Sequence, residues 1–308
     1  MKRVCFVALC LTRGLFGWGC DGHQLVARIA EKNLTANAAT NVTRLLSENP
    51  IDSSLMRYCV QGREDLMADA STWADDVRRT AGTGKWHYMD IPRQVTSGNI
   101  EKWCEPVGPP NPKGERDGCV ISAIAYNLQA LKNDAAPAPE RAIALRYLIH
   151  LVGDLHQPLH TTDNHDQGGN CAPLAVLDQV SISNLHSAWD SGLLEERLQS
   201  SHETAVQLAG ELARRFAPTR NTWSGGDAQS WAWESHAAGI RTTYGGLRPP
   251  IPEEPVSGKT DCSAESQKVY ALHIHLDREY AGAADPVIDE QLAKAGFRLA
   301  KILNEIWP

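Results

Sequence analysis

Leu145-Arg-Tyr-Leu-Ile-His-Leu-Val-Gly-Asp-Leu-His-Gln-Pro-Leu-His160 decides the fold, because the helix it predicts from Arg141 to Leu155 is apolar on nearly every side. A helix with so narrow a polar face belongs in the interior. His150 and Asp154 nevertheless sit in it, four residues apart and so on one face. Burying an imidazole and a carboxylate costs several kcal/mol unless something pairs them. Pro158 stops the helix and swings His160 back over its end. A lone buried His–Asp hydrogen bond would account for the pair, but the rest of the chain supplies more groups of the same kind. Two imidazoles and a carboxylate on a buried scaffold are what a transition-metal site requires.

Outward from this stretch the pattern stays helical. One helix is expected over 21–46, with Asp21 as its N-cap and Leu25, Val26, Ile29, Ala30 and Leu34 on its apolar face. A second is expected over 66–79 and a third over 120–132. Beyond the central helix, a short one should carry His186 to Arg197, with others near 202–217, 228–243 and 263–283. The last should start at Pro286 and bury Ile288, Leu292, Ala295, Leu299, Leu303 and Ile306. Segments 86–92, 105–116 and 245–260 read as irregular, and strand patterns are scarce. The expectation is all-α: one mostly helical domain over 18–308.

The N-terminus reads as a secretory signal over 1–17, a basic start followed by Val4 to Leu11. Cleavage after Gly17 would make Trp18 the first residue. Six cysteines remain beyond it, and an even number in an exported chain predicts disulfides. Cys104 with Cys119, flanking a Pro/Gly-rich loop, is the one pair that suggests itself. The absence of a CxxC spacing argues against a cysteine zinc site. The chain carries a net charge of -7, and about -10 without Lys2, Arg3 and Arg13. That is the wrong sign for gripping nucleic acid by a basic surface. Any bound phosphate would need metal ions to supply positive charge. No run approaches the roughly 20 apolar residues of a membrane helix, and no stable membrane association is expected.

The candidate ligands are His23, Asp75, His87, His150, Asp154, His160, His186 and Asp190, the last two repeating the i, i+4 spacing. Nitrogen and carboxylate without thiolate suit zinc, and manganese or iron less well. So many side chains exceed one tetrahedral ion and predict a cluster. His156 faces away from Asp154 and reads as a core or supporting hydrogen bonder. His165, His202, His236, His273 and His275 read as surface residues.

Trp18-Gly-Cys-Asp-Gly-His23, Trp73-Ala-Asp75, the His150 to His160 run, Gly168-Gly-Asn170, Asn184-Leu-His-Ser-Ala-Trp-Asp190 and Gln291-Leu-Ala-Lys-Ala-Gly-Phe-Arg-Leu-Ala300 recur together here. With them the chain resembles the trinuclear-zinc, single-strand-specific class I nucleases, over essentially Trp18 to Trp307. The resemblance implies the helical zinc phospholipase C and nuclease fold with a trinuclear zinc cleft. It implies a secreted or periplasmic, monomeric endonuclease that hydrolyses single-stranded DNA and RNA to 5′-phosphate products, and it leaves open a 3′-nucleotidase activity. One zinc would take Asp75, His87 and His150, sharing Asp154 with a neighbour held by His23 and by the free amine and carbonyl of Trp18. A third would take His160, His186 and Asp190. Asp75, Arg78 and Asp154 would be catalytic, Tyr88 would stack on a base, Asp90 would hydrogen-bond it, and Asn170 would bond the phosphate side. The rival readings are a zinc phospholipase C of the same fold and a non-catalytic zinc-binding protein. The aromatic and acid of Trp86-His-Tyr-Met-Asp90 favour the nuclease over the first. Ligand groups of only three, as in His160, His186 and Asp190, favour an open catalytic site over the second.

Overall fold

The computed structural model describes residues 18–59, 65–176, 184–254 and 260–308. The expected signal over 1–17 and part of the 245–260 loop lie outside the described residues. The described chain is mostly helical, as its residue pattern requires. Its helices are α1 (Cys20–Glu31), α2 (Ala36–Glu48), α3 (Leu66–Ser71), α4 (Trp73–Val77), α5 (Val120–Lys132), α6 (Ala138–Leu155), α7 (Leu185–Ser187), α8 (Leu193–Ser201), α9 (Ala205–Arg215), α10 (Arg220–Trp223), α11 (Ala228–Ala238), α12 (Cys262–Tyr270) and α13 (Arg278–Ile306). Two short strands, β1 (Ala175–Val176) and β2 (His275–Leu276), pair in parallel. None of the described helices is long and apolar enough to cross a membrane.

Helix α6 is the axis. From Ala144 to Asn164 every residue is buried, and α1, α2, α3, α4, α5, α11 and α13 all pack on α6. His156 holds this axis to α13: its Nδ1 donates to the Val152 carbonyl at 2.7 Å, so its Nε2 accepts from Arg298 at 2.8 Å. Arg298 then forks onto Glu234 of α11 at 2.7 and 2.8 Å.

Several boundaries differ from expectation, each for a local reason. The helix over 21–46 is two. The Asn33 amide turns back onto the Ile29 carbonyl, and Thr35 restarts the chain by accepting from the Ala38 amide. Asp21 lies in the first turn of α1 rather than capping it. The 66–79 stretch breaks at Thr72 into α3 and α4. The 263–283 helix ends at Tyr270, and α13 begins at Arg278, where Asp277 accepts from the Tyr280 amide. Pro286 therefore lies inside α13, where it removes the bond to the Gly282 carbonyl. Ile288, Leu292, Ala295, Leu299 and Leu303 are buried as expected, and Ile306 is half-buried. Three disulfides, Cys20–Cys59, Cys104–Cys119 and Cys171–Cys262, include the expected pair.

Candidate metal centre and cleft

The floor of the site is laid by helices. His150 and Asp154 come from one face of α6, His23 from α1, and Asp75 from α4. His87 ends the 3₁₀ turn Gly84–His87, and His160 ends the turn Pro158–His160 that the proline imposes. His186 lies in α7, and Asp190 follows in a π-helical segment, Ala188–Gly192. These residues gather into three groups of close donor atoms: His23, His150 and Asp154; Asp75, His87 and His150; and His160, His186 and Asp190. The first two share His150, and Asp154 bridges them: its Oδ1 is 3.4 Å from His23 Nε2, and its Oδ2 is 3.0 Å from both His150 Nε2 and His87 Nδ1. The third group is more separate. His186 Nε2 lies 3.2 Å from one oxygen of Asp190, and His160 Nε2 lies 3.8 Å from the other. Trp18 is fully buried beside this floor, and the Gly19 amide donates to the Asp190 carbonyl at 2.6 Å.

The second ring of contacts sets the tautomers. His150, His160 and His186 each place Nδ1 at 2.6 Å from a backbone carbonyl, of Ser71, His87 and Gly168 respectively. A carbonyl only accepts, so each Nδ1 carries the proton and each Nε2 turns its lone pair into the cluster. Lone pairs then face carboxylates at short range inside a buried site, an arrangement that repels unless positive charge fills it. Among the described residues, both nitrogens of His23, Oδ1 of Asp75, Oδ1 of Asp154 and Nε2 of His160 are buried without a hydrogen-bond partner. Proteins leave few such atoms unsatisfied. These are donor atoms that a transition metal of nitrogen and oxygen preference would bind, so the residues fit metal ions well. Gly153 completes the floor: a Cβ there would stand 3.0 Å from His23 Nδ1, so a side chain would crowd the imidazole.

The electrostatics carry the same demand for cations. Burial alone would lower the His150 imidazole, yet Asp154 and Asp75 together raise it to about 9. Burial works against Asp154 as well, but its histidines hold it well below the usual carboxylate range. Burial pushes Asp190 up to about 6 and His160 down to about 3.

Above the floor opens a cleft of about 830 Å³, lined by His87, His160 and His186 and walled by Arg78, Tyr88, Asp90 and Asn170 among others. Arg78 lies 3.8 Å from Asp75, one helical turn away. The Tyr88–Asp90 segment is strapped on both sides: the Met89 amide donates to the His160 carbonyl at 2.7 Å, and the Val120 amide to that of Tyr88 at 3.1 Å. Asp90 keeps solvent contact through the cleft. The burial of the residues around it, and then the Asp163 charge, raise its carboxyl above the ordinary value. Asn170 reaches the cleft half-buried, with its amide donating to the Gln167 carbonyl at 2.7 Å.

All the residues expected in the site are thus brought to one floor and one cleft. Two surface expectations are not met: His236 is buried, with Nδ1 2.8 Å from the Thr161 carbonyl and Nε2 2.7 Å from that of Val95, and His165 is half-buried with its Nδ1 covered. Residue reasoning also passed over Gln157, whose amide donates to Asp190, and over the carbonyls of Ser71, His87 and Gly168. Gln157 could have been found, since it stands inside the quoted run. Backbone carbonyls leave no mark in a sequence.

Comparison with known proteins agrees with this geometry. The family model described as S1/P1 Nuclease matches residues 18–308. The chain is similar to Endonuclease 1 of Arabidopsis thaliana, 27% identical with 97% of this chain and 90% of that protein covered. It is similar to Nuclease S1 of Aspergillus oryzae, at 27% identity over 97% of this chain and 94% of the other. Nuclease P1 of Penicillium citrinum is 29% identical over 94% of this chain and 97% of its own length.

Proposed function

The chain belongs to the S1/P1 nuclease family and is a hydrolase of nucleic-acid phosphodiester bonds, and on that premise we propose that it is an exported, zinc-dependent endonuclease acting on single-stranded DNA and RNA. The carrying observation is that three groups of metal donors converge beneath a single cleft whose wall holds an aromatic and an acid. Zinc suits the imidazole and carboxylate donors, and when bound it would polarise phosphate oxygens and lower the pKa of water at the cleft floor.

The chain's own residues supply the rest. Asp154 offers one oxygen to each side and spans the first two donor groups, with Asp75, His87 and His150 on one side and His23 on the other. The main-chain amine and carbonyl of Trp18 complete the second of these once the chain starts at that residue. A free amine has a reference pKa of roughly 7.7–8.0, low enough for a metal to displace its proton, whereas an amide nitrogen is a poor donor. His160, His186 and Asp190 form the third group, with Gln157 orienting Asp190. Arg78 projects beside Asp75, where its guanidinium steadies charge on the phosphate. Tyr88 stacks on an unpaired base, Asp90 hydrogen-bonds its edge, and Asn170 bonds the phosphate side. A base reaches that wall only when unstacked, which costs a few kcal/mol in a duplex, and this supports single strands as substrate. Products would carry 5′-phosphates. All the proposed ligands lie on one chain, which supports a monomer, and the three disulfides support export.

The test is metal content together with cleavage of single-stranded DNA, before and after chelation, beside duplex DNA and phosphatidylcholine. About three zinc ions, cleavage of single strands that chelation abolishes and zinc restores, and slow duplex cleavage are expected. Hydrolysis of phosphatidylcholine in place of DNA would transfer the site to phospholipase chemistry, and metal without hydrolysis would leave a storage protein.

A further inference from the structure

The loop between Trp103 and α5 contributes to the cleft, and none of the roles given above uses it. Its Glu115 and Arg116 line the same space as His87, Tyr88 and His160, with Lys85 and Arg79 beside them. The loop is built to a fixed position. Cys104 and Cys119 close it covalently. Inside it, Asn111 Oδ1 accepts from the amides of Lys113 and Glu115 at 2.9 and 3.0 Å. At its tip the Arg116 amide donates to the Gly82 carbonyl at 2.8 Å. Gly82 belongs to the turn that joins α4, with Asp75 and Arg78, to the 3₁₀ turn ending in His87. Its φ is +67°, and a Cβ there would come within 1.8 Å of the Gly114 carbonyl oxygen, so the loop seats only on glycine. Arg116 is therefore registered against the chain segment that carries Asp75 and His87.

The cations of this wall differ in how they are used. Lys85 pairs with Asp117 at 2.8 Å, and Arg78 lies near Asp75. Arg79 is exposed. The Arg116 guanidinium lies over the Trp86 ring, 6.0 Å from its centre, and Trp86 Nε1 donates to the Asp117 carbonyl at 3.2 Å. Among the described residues no carboxylate pairs with that guanidinium. Glu115 beside it turns one oxygen to the Asn111 amide at 3.1 Å. A half-buried guanidinium on a cleft wall, anchored through its own backbone amide and without a carboxylate partner among the described residues, in a chain of net charge -7, has the form of an anion contact.

We propose that Arg116 binds a backbone phosphate of the substrate strand away from the scissile bond, and so sets the preference for strands over the shortest substrates. This rests on the nuclease reading. The planar guanidinium can meet two phosphate oxygens at once from its place over Trp86, which a lysine ammonium cannot do.

The experiment compares the zinc-loaded enzyme with its Arg116→Ala, Arg116→Lys and Glu115→Gln variants, on a thymidine dinucleotide, which holds only the scissile phosphate, and on a thymidine 12-mer. Arg116→Ala should raise KM for the 12-mer about tenfold and leave both constants for the dinucleotide within about twofold. Its dependence of log KM on log salt should flatten by about 0.7, the share of one single-strand phosphate contact. Arg116→Lys should keep the salt slope and raise KM about threefold, and Glu115→Gln should lower KM for the 12-mer. Bound zinc and the melting temperature should match wild type. A 12-mer KM that does not move, or one that moves equally with the dinucleotide, overturns the assignment while the nuclease reading stands. Failure of the wild type to cut either substrate overturns both.

Discussion

The floor and the wall of the cleft are built on different principles. Every floor donor leaves a helix or a turn clamped to one, and three of the five imidazoles, those of His150, His160 and His186, are locked by carbonyls at 2.6 Å. The wall is made of irregular chain: the Tyr88–Asp90 segment, the Gly168–Asn170 turn and the disulfide-closed loop ending at Arg116. On the proposed function the floor would hold several like-charged ions close together, which calls for donors that cannot wander. The wall must admit a strand of varying sequence, which loops on a rigid base allow. Changes to the floor should therefore cost rate and metal together, and changes to the wall should cost recognition alone.

The largest expected break is Asp154→Asn. Asparagine keeps the shape but not the charge that holds two dications, so elemental analysis should find more zinc lost than with any other ligand change. Hydrolysis should fall about a thousandfold, or ~4 kcal/mol in the barrier. Full metal occupancy in this variant would remove Asp154 from its bridging role.

Next comes the chain's beginning. A version starting at Trp18 should be active, and one with an uncleavable Gly-Ser extension should fold, by circular dichroism, yet hold one zinc fewer. Its rate should drop about a hundredfold, in the range seen when a metal site loses support. Equal metal and rate in the two forms would take Trp18 out of the ligand set.

A wall residue should behave differently. Tyr88→Ala should keep its zinc and raise KM for single strands about tenfold, within the 1–3 kcal/mol or so of one lost base stack. Loss of zinc in this variant would erase the division between floor and wall.

The smallest effect concerns pH. Without metal, burial raises Asp190 to about 6 and Asp166 likewise to about 6, so the folded state prefers both protonated. That contribution to stability is whole below the unfolded value near 3.8 and is lost as pH rises through about 6. A metal bound there would relieve the cost at Asp190 by pairing its charge. The gain in melting temperature on adding zinc should be greater at about pH 7.5 than at about pH 5, by roughly 2–4 °C per kcal/mol. An equal gain at both pH values would show that Asp190 is not held by the metal.

How far the residues alone could be read depended on what each reading needed. His150, Asp154 and His160 were legible because helical spacing and a proline stop are local geometry, and a buried polar group asks for a partner wherever the helix lies. Pro286 misled because its cost inside a helix is modest beside the packing of α13 on α1 and α6. His236 misled because nothing in its neighbours announces that carbonyls of Thr161 and Val95 close over it. Cys104–Cys119 spans a short loop and could be guessed; Cys20–Cys59 and Cys171–Cys262 join segments whose approach only the packed chain decides. The sequence by itself determined the helical class, the buried axis and the kinds of donor atom, since periodicity and chemistry are properties of residues near one another along the chain. Which donors stand together, which nitrogen of each imidazole faces the group, and where Arg116 stands were decided by tertiary structure alone, because distances between remote segments and the carbonyls that orient side chains exist only once the chain has packed.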